Sequence, residues 1–214
     1  MRRSLLARVW RTWSGRVGLL GCALVVLLTL LGPLLSPYGA EQLPCVPFDG
    51  PSSPFPLGCD ALGHDVLSRV LHGGLTVVTL GVASIVIAYV IGATIGLVAG
   101  FRRGAVDTVL MRSMDVLLAF PPILLLLVLA TGTGGGVSSL LVGIVLVQVP
   151  GIARVVRTAT LAASTRGYVE AAMVRGERTS WVLGREILPN ITTVIAADGG
   201  PRLTASILLV AAMN

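Results

Sequence analysis

The sequence contains no lysine: all 16 of its basic residues are arginine. That absence excludes a nucleotide-binding P-loop, whose lysine must reach the phosphates. The glycine-rich run TGTGGGVSS at 131–139 is therefore not one. A Schiff-base lysine is excluded on the same ground. Charge of either sign is scarce, at 12% of residues, where a soluble domain carries about a quarter. Cysteine is scarce too: Cys22, Cys45 and Cys59 are the only three, and no C-x-x-C spacing occurs, so the usual zinc-ligand pattern is missing.

What fills the chain is apolar. Of 214 residues 54% are hydrophobic, and the mean hydropathy is +0.89. This composition points to a multi-spanning membrane protein rather than a large soluble core. Five apolar segments stand out: 17–35, 74–100, 109–130, 137–156, and 191 to the final residue, 214. Each is near the ~20 residues with which a helix crosses ~30 Å of hydrocarbon. Helices are expected because an open strand would leave backbone groups unpaired in lipid. The fold class expected is all-α and polytopic, with five transmembrane helices.

Arginine placement sets the orientation. Arg2, Arg3, Arg8, Arg11 and Arg16 precede the first segment with no acid among them. With that end in the cytoplasm, Arg102 and Arg103, and then Arg154, Arg157, Arg166, Arg175, Arg178 and Arg185, also fall inside. The opposite segment at 36–73 holds only Arg69 against Glu41, Asp49, Asp60 and Asp65. The net charge of +6 is thus mostly a topology signal, and nucleic acid is not an expected partner. The first segment could be a cleaved signal, but cleavage after Ala40 would put Tyr38 at −3, a poor fit; a retained helix is the reading. The organisation expected is a cytoplasmic tail at 1–16, a first transmembrane helix at 17–35, an extracytoplasmic segment at 36–73 and a membrane core at 74–214.

Several features inside that frame carry chemistry. Gly92, Gly96 and Gly100 recur every four residues and share one helix face, allowing a neighbouring helix to approach closely. Pro121 and Pro122 should kink the third segment or restart it. Asp198 and Arg202 lie one turn apart in the fifth segment, flanking Gly-Gly-Pro. Ionisable groups at that depth face a protein interior or a watery path, and these two can pair with each other. Cys45 and Cys59 share the oxidising side, where a disulfide can form, whereas Cys22 is packed in the first helix. His64 and Asp65 are adjacent, but one histidine with nearby acids is a weak metal site, and no metal or catalytic residue is expected. An intramembrane enzyme using His64, Asp65 and Asp115 fails on topology, because Asp115 falls near the inner face and the other two outside. The sequon Asn190-Ile191-Thr192 lies on the cytoplasmic side and is discarded.

The most informative stretch is EAAMVRGERTSWVLGREILPN at 170–190, dense in charge between two bilayer-like segments. Tyr168 to Arg175 reads as a short helix ended by Gly176. Arg178 to Ile187 reads as a second, with Thr179 or Ser180 as N-cap, and Pro189 sits in the first turn of the next span.

This arrangement resembles the EAA loop of ABC-importer permeases. Glu170, Ala171, Ala172, Gly176, Leu188 and Pro189 match its spacing; Glu186 stands where the general pattern has isoleucine. The dipeptide/oligopeptide/nickel branch often has a polar residue there and ends in ILPN, as this chain does at 187–190. FPLGCDALGHDVLSRVLHGG at 55–74 is similar to that branch's Leu-Gly-Thr-Asp…Gly-Arg-Asp…Ser-Arg signature, with Cys59 for threonine and His64 for arginine. VDTVLMRSMDVLLAFPPILLLL at 106–127 matches its Met-Arg…Asp…Ala-Phe-Pro stretch. The resemblance covers about 15–214.

It implies a type I ABC-importer permease fold in the bacterial cytoplasmic membrane, importing di- or oligopeptides. The same pattern also serves nickel, haem and other solutes. It implies that 161–189 is a cytoplasmic loop docking on an ATPase subunit. Small Ala171 and Ala172 would let that surface approach, Glu170 would meet a basic residue, and Gly176 would allow the bend. Asp198 and Arg202 would lie near the translocation path. The partners implied are a homologous permease subunit, ABC ATPase subunits, an extracytoplasmic binding protein and membrane lipid. No cofactor is implied for this chain, since ATP and Mg belong to the ATPases. The family has six helices and usually continues with Phe-Leu-Gly-Leu-Gly; this sequence reaches LLVAAMN first, so the sixth helix is not expected within it.

Overall fold

A computed structural model describes residues 12–213. Arg2, Arg3, Arg8 and Arg11, on which part of the orientation argument rests, lie outside the described residues. The described chain is helical, with no strand and one isolated bridge between Cys59 and Asp65. It divides into two units, Met1–Val78 and Thr79–Asn214.

In the first unit α1 runs Trp13–Leu35. It begins before the apolar run because the Thr12 hydroxyl accepts the Gly15 N–H at 3.2 Å, satisfying one donor of the first turn. Its outer face is bare Leu and Val, suited to lipid. Thr29 and Gly32 are buried; Gly32 faces the Leu71 carbonyl, and a Cβ at Gly74 would lie 3.4 Å from Thr29 Oγ1. Between the helices the chain is held by main-chain hydrogen bonds such as Phe48 N–H to Asp60 C=O and Cys59 N–H to Asp49 C=O. Helix α2, Val66–Arg102, starts eight residues before the apolar run, because Asp65 accepts both the N–H and the hydroxyl of Ser68, at 2.9 and 2.6 Å. Its 37 residues extend roughly 55 Å at 1.5 Å per residue.

In the second unit α2 ends in a sharp corner, with Arg103 at φ +52° and Gly104 at φ +59°. The third apolar segment is not one straight span. It is α3, Gly104–Leu118, followed by α4, Pro122–Gly132, bent by 83°. Pro122 opens α4, where a missing N–H costs nothing. Helix α5, Val137–Ser164, is the most buried span, with Val149, Ile152, Ala153 and Val156 in the core cluster that also holds Ile85 and Ala88 of α2 and Met114 of α3. Then come α6, Gly167–Val174, the three-residue α7, Thr179–Trp181, a π turn over Val182–Ile187, and α8, Leu188–Met213. Among the described residues four helical runs are long and apolar enough to cross a membrane, five if the bent pair counts as one span.

Candidate functional site

The charged insert folds as a hairpin of short helices whose two ends continue into long ones. Ser164 closes α5, and α6 starts three residues later. Gly176 follows α6 at φ +76°, a left-handed conformation that glycine adopts without the Cβ penalty. The second short helix expected at 178–187 is not a separate element. The helical run goes from Thr179 to Met213 without a break. Its N-cap is Arg178 rather than Thr179 or Ser180, and no side chain caps it. Pro189 is correspondingly not in a first turn. It has no N–H and its ring opposes the carbonyl four residues back. The preceding turn widens to π spacing, with the Leu188 N–H donating to the Leu183 carbonyl, five residues away, one of the ways a helix accommodates such a defect.

Exposure sorts the loop residues into two faces. Val169, Ala172, Val182 and Ile187 are buried together in the core. Ala172 is fully enclosed by its own chain, which corrects the expectation that it meets a partner: a helical residue three positions from Val169 shares its inward face. Glu170, Ala171, Met173 and Val174 point outward, and Glu170 has no ion-pair partner among the described residues. Leu188 is half-buried and Pro189 exposed. The Arg185 guanidinium lies 4.3 Å from the Trp181 ring centroid. Both line an open groove with Gly176, Glu177, Arg178 and Ser180.

Gly92, Gly96 and Gly100 all face α5. A Cβ at Gly92 would be 2.9 Å from Ile152 Cβ, one at Gly96 2.6 Å from the Ala153 carbonyl oxygen, and one at Gly100 2.7 Å from the Arg157 carbonyl oxygen. Backbone meets backbone along this seam. It runs from the membrane core towards the α5 end that enters the loop.

A second polar site lies deep in the spans. Arg202 Nε donates to Asp198 Oδ2, and the Tyr89 hydroxyl donates to the same oxygen at 2.9 Å. Gln148 Nε2 donates to the Arg202 carbonyl at 3.0 Å and to the Ser206 hydroxyl at 2.9 Å. Helices α2, α5 and α8 therefore converge on one ion pair. Asp198 and Arg202 were legible in the sequence. Tyr89 and Gln148 were missed, although a polar side chain inside an apolar span was the signal.

On α3 and α5, Asp107 takes a two-pronged bond from Arg157, and Asp115 accepts from Arg154 at 2.6 Å. Asp115 is thus committed to an ion pair. In the first unit Cys45 and Cys59 are joined, with Cα atoms 6.4 Å apart, and Cys22 is free and exposed rather than packed. His64 Nδ1 sits 2.9 Å from Asp60 Oδ2. Asp60 also accepts from the His64 and Leu62 N–H groups and from Arg69. The His64 N–H bond, with smaller help from Arg69 and Leu62, holds its carboxyl well below the usual carboxylate range. Among the described residues no cluster of three or more His, Cys, Asp or Glu could hold a metal.

A bundle of apolar spans, interrupted by a short helical hairpin that packs one face on the bundle and bares the other, defines a multi-spanning membrane protein. Residues 92–214 match the family described as the binding-protein-dependent transport system inner membrane component. The chain belongs to that family. It is 34% identical over 197 residues to the glutathione transport system permease protein GsiD of Pectobacterium atrosepticum, covering 89% of this chain and 64% of that protein. It is 30% identical over 222 residues to the di/tripeptide transport system permease protein DppC of Pseudomonas aeruginosa, covering 99% and 73%. The dipeptide transport system permease protein DppC of Alkalihalophilus pseudofirmus is 29% identical, covering 92% and 66%. The chain therefore spans about two thirds of the length of these relatives.

Proposed function

We propose that this chain is a permease subunit of an ATP-driven importer for di- or oligopeptides in the bacterial cytoplasmic membrane. The N-terminus and the loop at 161–189 face the cytoplasm, and 36–73 faces outward. It works with a homologous permease subunit, two ATPase subunits that bind ATP and Mg, and an extracytoplasmic binding protein. The observation that carries this reading is the loop's construction: α6 packs on the bundle through Val169 and Ala172, presents Glu170 and Ala171 outward, and is bracketed by α5 and α8. A force applied to its outer face passes into both spans. Glu170 and Ala171 are the contact residues, Gly176 the corner, and Leu188 and Pro189 the joint to α8. Gly92, Gly96 and Gly100 keep α2 on α5 so that the two move together. Asp198 and Arg202 border the translocation path. The relatives' printed substrates favour peptides over nickel or haem.

The test is ATP-dependent dipeptide uptake into vesicles holding the subunit with its neighbouring gene products, comparing wild type with Glu170→Arg and Gly176→Val combined. Loss of uptake together with weakened ATPase binding is expected. Normal uptake by the double variant would sink the coupling assignment. Uptake of another solute class by a wild type that ignores peptides would move the substrate assignment and leave the permease class standing.

A further inference from the structure

The Asp198–Arg202 pair has a geometry that goes beyond bordering a path. Its two side chains carry opposite charges one helical turn apart, about 6 Å along the axis. They are 20% and 18% exposed, neither sealed in the core nor open to bulk solvent. Arg202 commits Nε to Asp198, while Nη1 and Nη2 lie over Gly151 of α5, where a Cβ would be 2.6 and 2.9 Å away. Gly151 is thus a notch that seats the guanidinium. Asp198 is the sole ion-pair partner of Arg202 among the described residues.

The backbone around the pair is unusual as well. Pro201 lies inside α8 and withholds the N–H that the Ala197 carbonyl would accept in an unbroken ladder. The adjoining face shows Ala197, Gly200, Pro201 and Thr204, all exposed. The run containing α8 is as open as α1 but the least apolar of the four long ones.

We infer that Asp198 and Arg202 form an exchange site for a zwitterion, specifically a short peptide with both ends free, an inference that rests on the peptide-permease reading above. At rest the two side chains neutralise each other. An entering peptide offers its carboxylate to the Arg202 nitrogens and its ammonium to Asp198, so one internal pair becomes two external ones and no net charge is added to the membrane interior. The charged ends of the resting pair touch, so an entering dipeptide, about 7 Å long when extended at ~3.5 Å per residue, must part them before its two ends can engage both. Blocking one peptide end would leave one member of the pair without a partner in a low-dielectric site. Tyr89 and Gln148 hold the pair in place and are positioning residues.

The test uses the complete transporter with its own binding protein, in proteoliposomes, at peptide concentrations that saturate the binding protein. Uptake of dialanine, dialanine amide and N-acetyl-dialanine is measured for wild type, Asp198→Asn, Arg202→Gln and Gly151→Ala. Ratios between peptides within one variant do not depend on how much of it folds. Arg202→Gln should lose about tenfold or more of the preference for dialanine over its amide, while keeping the preference over the acetylated peptide. Asp198→Asn should do the reverse. Gly151→Ala, which crowds the guanidinium with both charges intact, should shift the amide ratio in the direction of Arg202→Gln. Unchanged ratios in all three variants, with dialanine still imported, would overturn the exchange site and leave the permease reading intact. A wild type that imports no peptide overturns both.

Discussion

Replacing Gly96 with alanine adds one methyl group at the tightest point of the α2–α5 seam. The new Cβ would stand 2.6 Å from the Ala153 carbonyl oxygen, 2.8 Å from Val156 Cβ and 2.9 Å from the Arg157 nitrogen. None of these is the far end of a flexible side chain, so none can swing aside. Ordinary contact needs the better part of an ångström more, and the helices must separate to provide it. Overpacking of this kind costs about 1–3 kcal/mol, with tenfold in the folded population for each ~1.4 kcal/mol. Two glycines serve as internal references. Gly18 has nothing within 4 Å, and Gly143 meets first the Leu126 Cδ2 atom, which can rotate. Unfolding free energy in detergent micelles should therefore fall markedly for Gly96→Ala, less for Gly143→Ala and hardly at all for Gly18→Ala. Combining Gly92→Ala and Gly100→Ala with it should cost less than the sum, because helices already pushed apart have partly cleared the other two sites. Equal stability of Gly96→Ala and Gly18→Ala would refute the close backbone seam.

Other consequences can be checked alongside. Opening the Cys45–Cys59 bridge, which spans 14 positions, should cost about 3 kcal/mol by loop-closure entropy; thermal unfolding with and without reductant reads it, and maleimide should label both thiols only after reduction. Asp60 has a lowered carboxyl pKa in the folded chain, so its contribution is fully present above the ordinary value of 3.8 and is lost as pH falls below it. Proteolysis of the 36–73 segment by an acid-active protease should accelerate as the pH falls from about 4 to about 2, and Asp60→Asn should flatten that dependence; a wild-type profile as flat as the variant's would count against it. Gly176→Val alone should destabilise the loop corner by about 1–2 kcal/mol, because a residue with a Cβ resists positive φ. Hydrogen exchange should show the loss confined to α6 and its flanks.

Much of this protein is written along the chain. Lipid-length apolar runs, arginine asymmetry and the Pro121-Pro122 break are local properties, and the helices, their approximate ends and the restart at Pro122 follow from them. The spacing of Glu170, Ala171, Ala172 and Gly176 marked the loop, and the glycines at four-residue intervals marked a packing face. The sequence could not say which helix that face meets, because a period describes one helix and not its neighbour. Ala172 illustrates the limit: its small size suits either a partner's surface or its own core, and only the fold of α6 onto Val182 and Ile187 chose the core. The joining of Tyr89, Gln148, Gly151, Asp198 and Arg202 spans more than a hundred residues of chain. Composition along each helix placed polar atoms at similar depth, but only the rotation of three helices about their axes, set by close packing of the apolar residues around them, turned those atoms towards one another.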